Sequence, residues 1–378
     1  LTYAELGWER TEQFNIGADF TMLDNRITLG FDWYEKNTTD LLYDVEVPKE
    51  IGYGSMTRNV GAMQNRGVEL ALHADLIRGK EWYWGVDFNI SHNVSKVTKL
   101  ADDVPFYTGN ESAIYVQAGH RIGEFYGFRH DGVFAYDESN AYDDNWNQLT
   151  PVFNNGTFSH YTLNGIRYEG NVNQKTRDGN VLGAGDVNWL DNPDDPNMGV
   201  IDENDRVLLG CAQPDVFGGL NTTVSWKGIS LFLSFNYSLG GDLYNWTNYK
   251  RNNFANDMTT PDPYTIRNMW LYPGDEAIYP TPDKNHNWNR NCVSDYWIED
   301  GSYIRLSSLK LSYQLPEKIL AKLRMKSASV YFYGNNLLTW TNYTGFDPEF
   351  GGGILDFGID TGKYPRTREF GFGINLGF

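Results

Sequence analysis

The chain has little of what a catalytic, disulfide-built or helical membrane protein needs. Its two cysteines among 378 residues, Cys211 and Cys292, are too few for a disulfide framework, so two unpaired thiols or one incidental bridge are expected. No unbroken run of about eighteen apolar residues occurs, which excludes a transmembrane helix. The chain starts at Leu1 with neither Met nor a basic stretch leading into an apolar one. No signal peptide is read, and a fragment or processed product is expected. Basic residues number 31 against 49 acidic ones, and the net charge of -18 argues against a nucleic-acid surface. Motifs of the type GxSxG, HExxH, GxxxxGK followed by Ser or Thr, and paired CxxC are all missing. The six histidines (His73, His92, His120, His130, His160, His286) lack metal-ligand spacing. With 49 carboxylates some pair will stand at glycosidase separation, and such a pair carries no weight alone. No enzyme activity, no cofactor and no metal are therefore expected. Apolar residues make up 40% of the chain, below the roughly 45–50% of a soluble domain, and mean hydropathy is -0.52.

What the chain has is aromatic residues (15%), 39 glycines and a strict period of two. In the last eleven residues Phe370, Phe372, Ile374, Leu376 and Phe378 alternate with Glu369, Gly371, Gly373, Asn375 and Gly377. One apolar face, one small or polar face and a C-terminal aromatic suggest the closing strand of an outer-membrane β-barrel. The pattern recurs at Phe14 to Met22 and Ile27 to Trp33, with a tight turn expected at Asp24 and Asn25 between them, and again at Val68 to Leu76, Trp82 to Ile90 and Ile229 to Leu239. Tyr303 to Tyr313 and Ala328 to Phe332 follow it less strictly. Runs of about ten residues suit a tilted bilayer crossing, and lipid then supplies the apolar environment that a small core does not. Trp33, Tyr34, Trp82 and Tyr83 near strand ends read as an interfacial girdle.

Connections are of two kinds. Those at Asp24, Arg78 to Lys80 and Lys227 to Gly228 are short, whereas Asp137 to Gly210 and Gly240 to Ile298 are long and rich in Asn, Asp, Pro and Trp. Short turns at one end and long loops at the other are expected of such a barrel, with the long loops outside the cell.

Ordered segments carry a resemblance that spans essentially the whole chain. They include LGWERTEQFNIGADF (Leu6 to Phe20), NVGAMQNRGVELAL (Asn59 to Leu72), AGHRIGEFYGF (Ala118 to Phe128), GVIDENDRVLLG (Gly199 to Gly210), WIEDGSYIRLSSLKLSYQLP (Trp297 to Pro316) and YFYGNNLLTWTNYTGFDPE (Tyr331 to Glu349). In this order they resemble the SusC/RagA family of TonB-dependent outer-membrane transporters of Bacteroidetes. The resemblance implies an all-β fold, a transmembrane antiparallel barrel of 22 strands closed around an N-terminal plug. Residues 1–378 would form its C-terminal part, about ten to twelve strands, with extracellular loops near 137–210 and 240–298 and without the plug. An open half-sheet exposes unpaired edges to lipid, so an upstream plug and N-terminal barrel segment of the same protein would complete it. The resemblance further implies an outer-membrane location in the bilayer, a SusD-like lipoprotein lid, energy from the TonB complex acting through the absent N-terminal part, and import of oligosaccharides, with peptides second. A passive porin or adhesin barrel and a soluble glycan-binding β-sandwich are the alternative classes.

Two local features bear on ligands. The second long loop crowds aromatic rings among Asn and Asp, and Trp246, Tyr249, Trp270 and Trp288 are the candidate glycan-binding residues; the alternative is that these rings anchor the loops and pack against a lid. Asp186 to Asp205 holds seven carboxylates, and its GVIDEND resembles the end of an EF-hand-like calcium loop. Counting back from Asp205 puts Asp194 first, but Pro196 and Met198 then fall at the third and fifth positions. A solvated acidic turn held by Asx hydrogen bonds is expected there instead.

Overall fold

The computed structural model describes residues 6–46, 55–100, 103–252, 260–283, 292–349, 353 and 356–378. Nine long strands form one sheet: β1 (Arg10–Met22), β2 (Ile27–Glu46), β3 (Ser55–Arg78), β4 (Trp82–Lys99), β5 (Val216–Trp226), β6 (Ile229–Leu239), β7 (Tyr303–Gln314), β8 (Ser327–Thr341) and β9 (Glu369–Gly377). Each pairs antiparallel with its neighbour in sequence, so the sheet is a continuous meander. Nine strands among the described residues stand close to the ten to twelve expected. β2 and β3 are 20 and 24 residues long, about twice a bilayer crossing, and run past the apolar band.

The register reproduces the two faces written in the sequence. Ile16, Trp33 and Val68 align across β1, β2 and β3, as do Phe20, Leu29 and Leu72. The opposite face aligns Gly17, Asp32, Glu69 and Ser91. The apolar face stays open in this chain: Phe14 is 59% exposed and Phe372 81% exposed. Directly opposed residues share a face, so a slip of one residue would turn every such ring inward. At the polar face of the last pair, Tyr331 and Tyr333 lie across Gly373 and Gly371, where any side chain would strike the rings.

Turns are short at one end. Lys227 and Gly228 both take positive φ in a two-residue hairpin, the type I′ geometry whose twist matches that of the strands. The first turn occupies residues 23–26 rather than Asp24 and Asn25 alone, with Leu23, Asp24 and Asn25 all left-handed. Residues 315–326, between β7 and β8, carry a short helix, Glu317–Leu323, at this same end. At the other end lie the connections 100–215, 240–302 and 342–368.

These connections are folded, and they hold the buried core. Val97, Ile114, Phe125, Tyr244, Tyr249, Val293, Trp297 and Ile359 make one cluster, drawn from all three connections and the end of β4. Phe128, Phe134, Leu182, Val187, Trp189 and Ile201 make a second. Small sheets organise them, such as Glu124–Gly127 against Val207–Cys211. The first long loop thus begins well before Asp137, directly after β4. Both cysteines are free.

Candidate functional site

The loop layer is fastened to the wall where β5 diverges from β4. Beyond Ser91 the outer edge of β4 is taken over by residues 119–122, with Ile122 N–H donating to Ser95 O (3.0 Å) and Val97 N–H to His120 O (3.0 Å). Gln213 completes the junction: its Nε2 donates to Ser95 O (2.9 Å) and Ile122 O (2.8 Å), and its Oε1 accepts from Ser95 N–H (2.9 Å).

Beside this junction, on the polar face, is a cavity of about 660 Å³. Asn65, Asn93 and Ser95 come from β3 and β4, Asn236 and Ser238 from β6, and Phe217 and Tyr303 close it with apolar surface. The side-chain oxygens of Asn93 and Asn236 are buried and have no hydrogen-bond partner within the protein. Buried amide oxygens without partners are costly, and these two lie in the wall behind the cavity rather than open to solvent.

Arg305 pairs with Asn236 across the sheet and underlies this wall. It is 2% exposed and forks onto Asp347, with Nη2 to Oδ1 at 2.5 Å and Nη1 to Oδ2 at 3.3 Å. Glu349 lies 3.7 Å from the same guanidinium and reaches Arg366 at 2.5 Å. Burial alone would raise the Asp347 carboxyl. The hydrogen bonds from Arg305 and from the Glu349 and Arg366 amides outweigh it and hold the group below the usual carboxylate range.

Three of the four aromatic candidates are placed apart from this cavity. Tyr249 is 4% exposed, edge-on to Trp297 in the first core cluster, and Trp246 packs against that cluster with Lys250 over its ring. Trp270 is half-buried and donates its Nε1–H to Ala135 O (3.2 Å). Trp288 lies outside the described residues. The structure brings Trp246 and Tyr249 together, Trp270 falls elsewhere, and the contacts these three make hold loop to loop. Asn93 and Asn236, which line the cavity, were not singled out from the sequence; their one signal is a place on the polar face of adjacent runs.

In the acidic stretch the expected Asx hydrogen bonds occur at Asn192, Asp195 and Asp202, whose side chains accept from the amides of Asp194, Asn197 and Asn204. The turn at Asn192 leaves Asp194 exposed, so it is Asp191, Asp195 and Asp205 that converge, with oxygens within 4.8 Å of one another. Burial, with Asp205 and Asp195 nearby, pushes Asp191 up to about 6 despite the Gly199 amide. Lys175, buried alongside, is drawn down to about 8 and spends its ammonium on Asn188 Oδ1 (3.1 Å) and Trp189 O (2.6 Å).

A meander with an exposed apolar face, a polar face, short turns at one end and folded connections at the other defines part of the wall of a transmembrane antiparallel β-barrel. The family model described as "TonB dependent receptor-like, beta-barrel" matches residues 1–173. A TonB-dependent receptor of Formosa agariphila is 34% identical over the whole chain, which spans 36% of that protein, and the TonB-dependent receptor SusC of Bacteroides thetaiotaomicron is 26% identical over 99% of the chain and 32% of its own length. Among solved structures, the RagAB peptide importer in its "closed-closed" state is similar over 99% of the chain and 36% of the RagAB chain, with 26% identity and a TM-score of 0.73. The chain therefore spans about a third of the relatives it matches. These matches make the chain similar, over about a third of their length, to the barrel of SusC/RagA-like TonB-dependent receptors.

Proposed function

We propose that this chain forms the C-terminal part of an outer-membrane importer driven by TonB, which moves oligosaccharides, or peptides, past a SusD-like lipoprotein lid. The observation that carries the reading is the cavity on the polar face beneath the folded loop layer, lined by Asn65, Asn93, Ser95, Asn236 and Ser238 together with the apolar surface of Phe217 and Tyr303. A cargo rich in hydroxyl or amide donors suits such a wall, and the acidic balance of the chain disfavours strongly anionic cargo. The connections around 137–210 and 240–298 would face outward and carry the lid, while the upstream part of the protein would supply the plug, the TonB contact and the strands that pair with β1 and β9. Peptide cargo is the second reading, favoured by the likeness to RagAB, itself described as a peptide importer.

The test is uptake of labelled oligosaccharides and peptides by cells carrying the native receptor, with Asn93→Leu and Asn236→Leu variants that still assemble. Each lost hydrogen bond is worth about 0.5–1.5 kcal/mol, so each variant should lower uptake of the true cargo roughly two- to tenfold. Uptake that survives removal of TonB would refute the active importer and favour a passive porin.

A further inference from the structure

We propose that Asp191, Asp195 and Asp205 form a calcium site that clamps the 186–210 segment of the first long connection. Three carboxylates lie with an oxygen of each within 4.8 Å of the others. Two oxygens across a calcium ion, each bonded at about 2.4 Å, stand up to about 4.8 Å apart. The second observation is separate from the clustering. Asp195 is 5% exposed, and its Oδ2 is buried with no hydrogen-bond partner; Asp191 Oδ1 is buried and unpartnered in the same way.

The remaining oxygens are already aimed. Asp205 Oδ1 and Oδ2 accept from the amides of Asn192 and Asp202, both at 2.7 Å, Asp191 Oδ2 from Gly199 at 2.5 Å, and Asp195 Oδ1 from Asn197 at 3.0 Å. The backbone thus fixes one oxygen of Asp191 and of Asp195 and leaves the other bare. None of the three carboxylates has an ion pair among the described residues, and the nearby Lys175 ammonium is committed elsewhere. Buried charge of one sign that lacks a paired cation is held where a metal ion neutralises it. All-oxygen donors select a hard cation, and the irregular loop, which turns at Pro193 and Pro196, suits calcium's variable geometry better than the strict octahedron of magnesium. Counting twelve positions back from Asp205 misses the site because Asp191, further back in the sequence than Asp194, is the residue that converges with Asp195 and Asp205.

The clamp has a mechanical consequence. Trp189 and Ile201, on either side of it, belong to the second core cluster, and Arg206, next to Asp205, donates to Ser112 O (2.8 Å) and Tyr126 O (2.9 Å). A cation at the three aspartates would therefore tie the loop tip to both the core and the sheet below it.

The experiment uses the intact receptor complex, purified in detergent, stripped with EDTA and titrated calorimetrically with calcium chloride. Wild type and Asp194→Asn should bind the same number of calcium ions with the same affinity. Asp195→Asn should lose one equivalent or bind it at least about tenfold more weakly. Identical titrations of wild type and Asp195→Asn would overturn the proposal, as would loss of binding in Asp194→Asn or an equal response to magnesium chloride. If Asp195→Asn fails to assemble, limited trypsin digestion of wild type decides: EDTA should speed cleavage within 186–210 and calcium should reverse it, and indifference to both would refute the site.

Discussion

Replacing Arg305 by Met removes the cation from a buried pair while keeping most of the side-chain volume. Asp347 would then be left with the Glu349 amide at 2.9 Å and the Arg366 amide at 3.0 Å as its donors, and Glu349 would lose its contact at 3.7 Å. Breaking a buried pair from one side costs about 3–5 kcal/mol, and the two surviving amide bonds put the expectation near the lower end, about 3 kcal/mol. That corresponds to roughly a hundredfold in the local opening equilibrium. Hydrogen exchange reads it directly, because the Glu349 and Arg366 amides report on Asp347 itself. Both should exchange about a hundredfold faster in Arg305→Met, while amides in the β1–β2 hairpin stay unchanged. Asp347→Asn should cost less, since Arg305 keeps Glu349, and the double variant should fall short of the sum of the two singles. Unchanged protection of both amides, or strict additivity, would refute the view that this pair secures the 342–368 connection to the wall.

Acid should act on the same connection. The folded Asp347 carboxyl titrates below its unfolded value, so the stability it contributes is complete above about pH 4 and is lost as pH falls through the depressed folded value, which exchange at Glu349 would show. Phe372→Arg places a charge on the apolar face of β9 and should lower barrel stability by about 2–4 kcal/mol at mid-bilayer, seen as loss of the heat-resistant form on gels; a harmless substitution there would contradict the assignment of faces. Gly373→Val should overpack against Tyr331 at a cost of about 1–3 kcal/mol by the same assay, whereas Gly353→Ala, with nothing within 4 Å of its Cβ direction among the described residues, should be silent. Trp189→Ala should cost about 3–5 kcal/mol within the loop layer and expose 186–210 to protease without unfolding the strands.

The wall was legible in the sequence because its rule is local. A period of two, set by the pleat, writes Ile16, Trp33 and Val68 onto one face and Asp32 and Glu69 onto the other, and the structure aligns them so. The sidedness of the connections followed from their lengths. What could not be read was how the long connections fold, because their cores join residues as far apart as Val97, Tyr249 and Ile359. Trp246 and Tyr249, set among Asn and Asp, look like a sugar-facing surface until distant partners such as Trp297 are known to cover them. The amides at Asn93 and Asn236 sit in unremarkable polar positions, and only the departure of β5 from β4 beside Gln213 makes them a cavity.

The central claim is that this chain is one part of a lidded, TonB-driven barrel. It is tested most directly by extracting the native complex from outer membranes in detergent through this chain and identifying every co-purifying polypeptide by mass spectrometry. The account predicts an upstream plug-and-barrel segment together with a SusD-like lipoprotein. Recovery of this sequence alone, soluble without detergent and monodisperse, would contradict it.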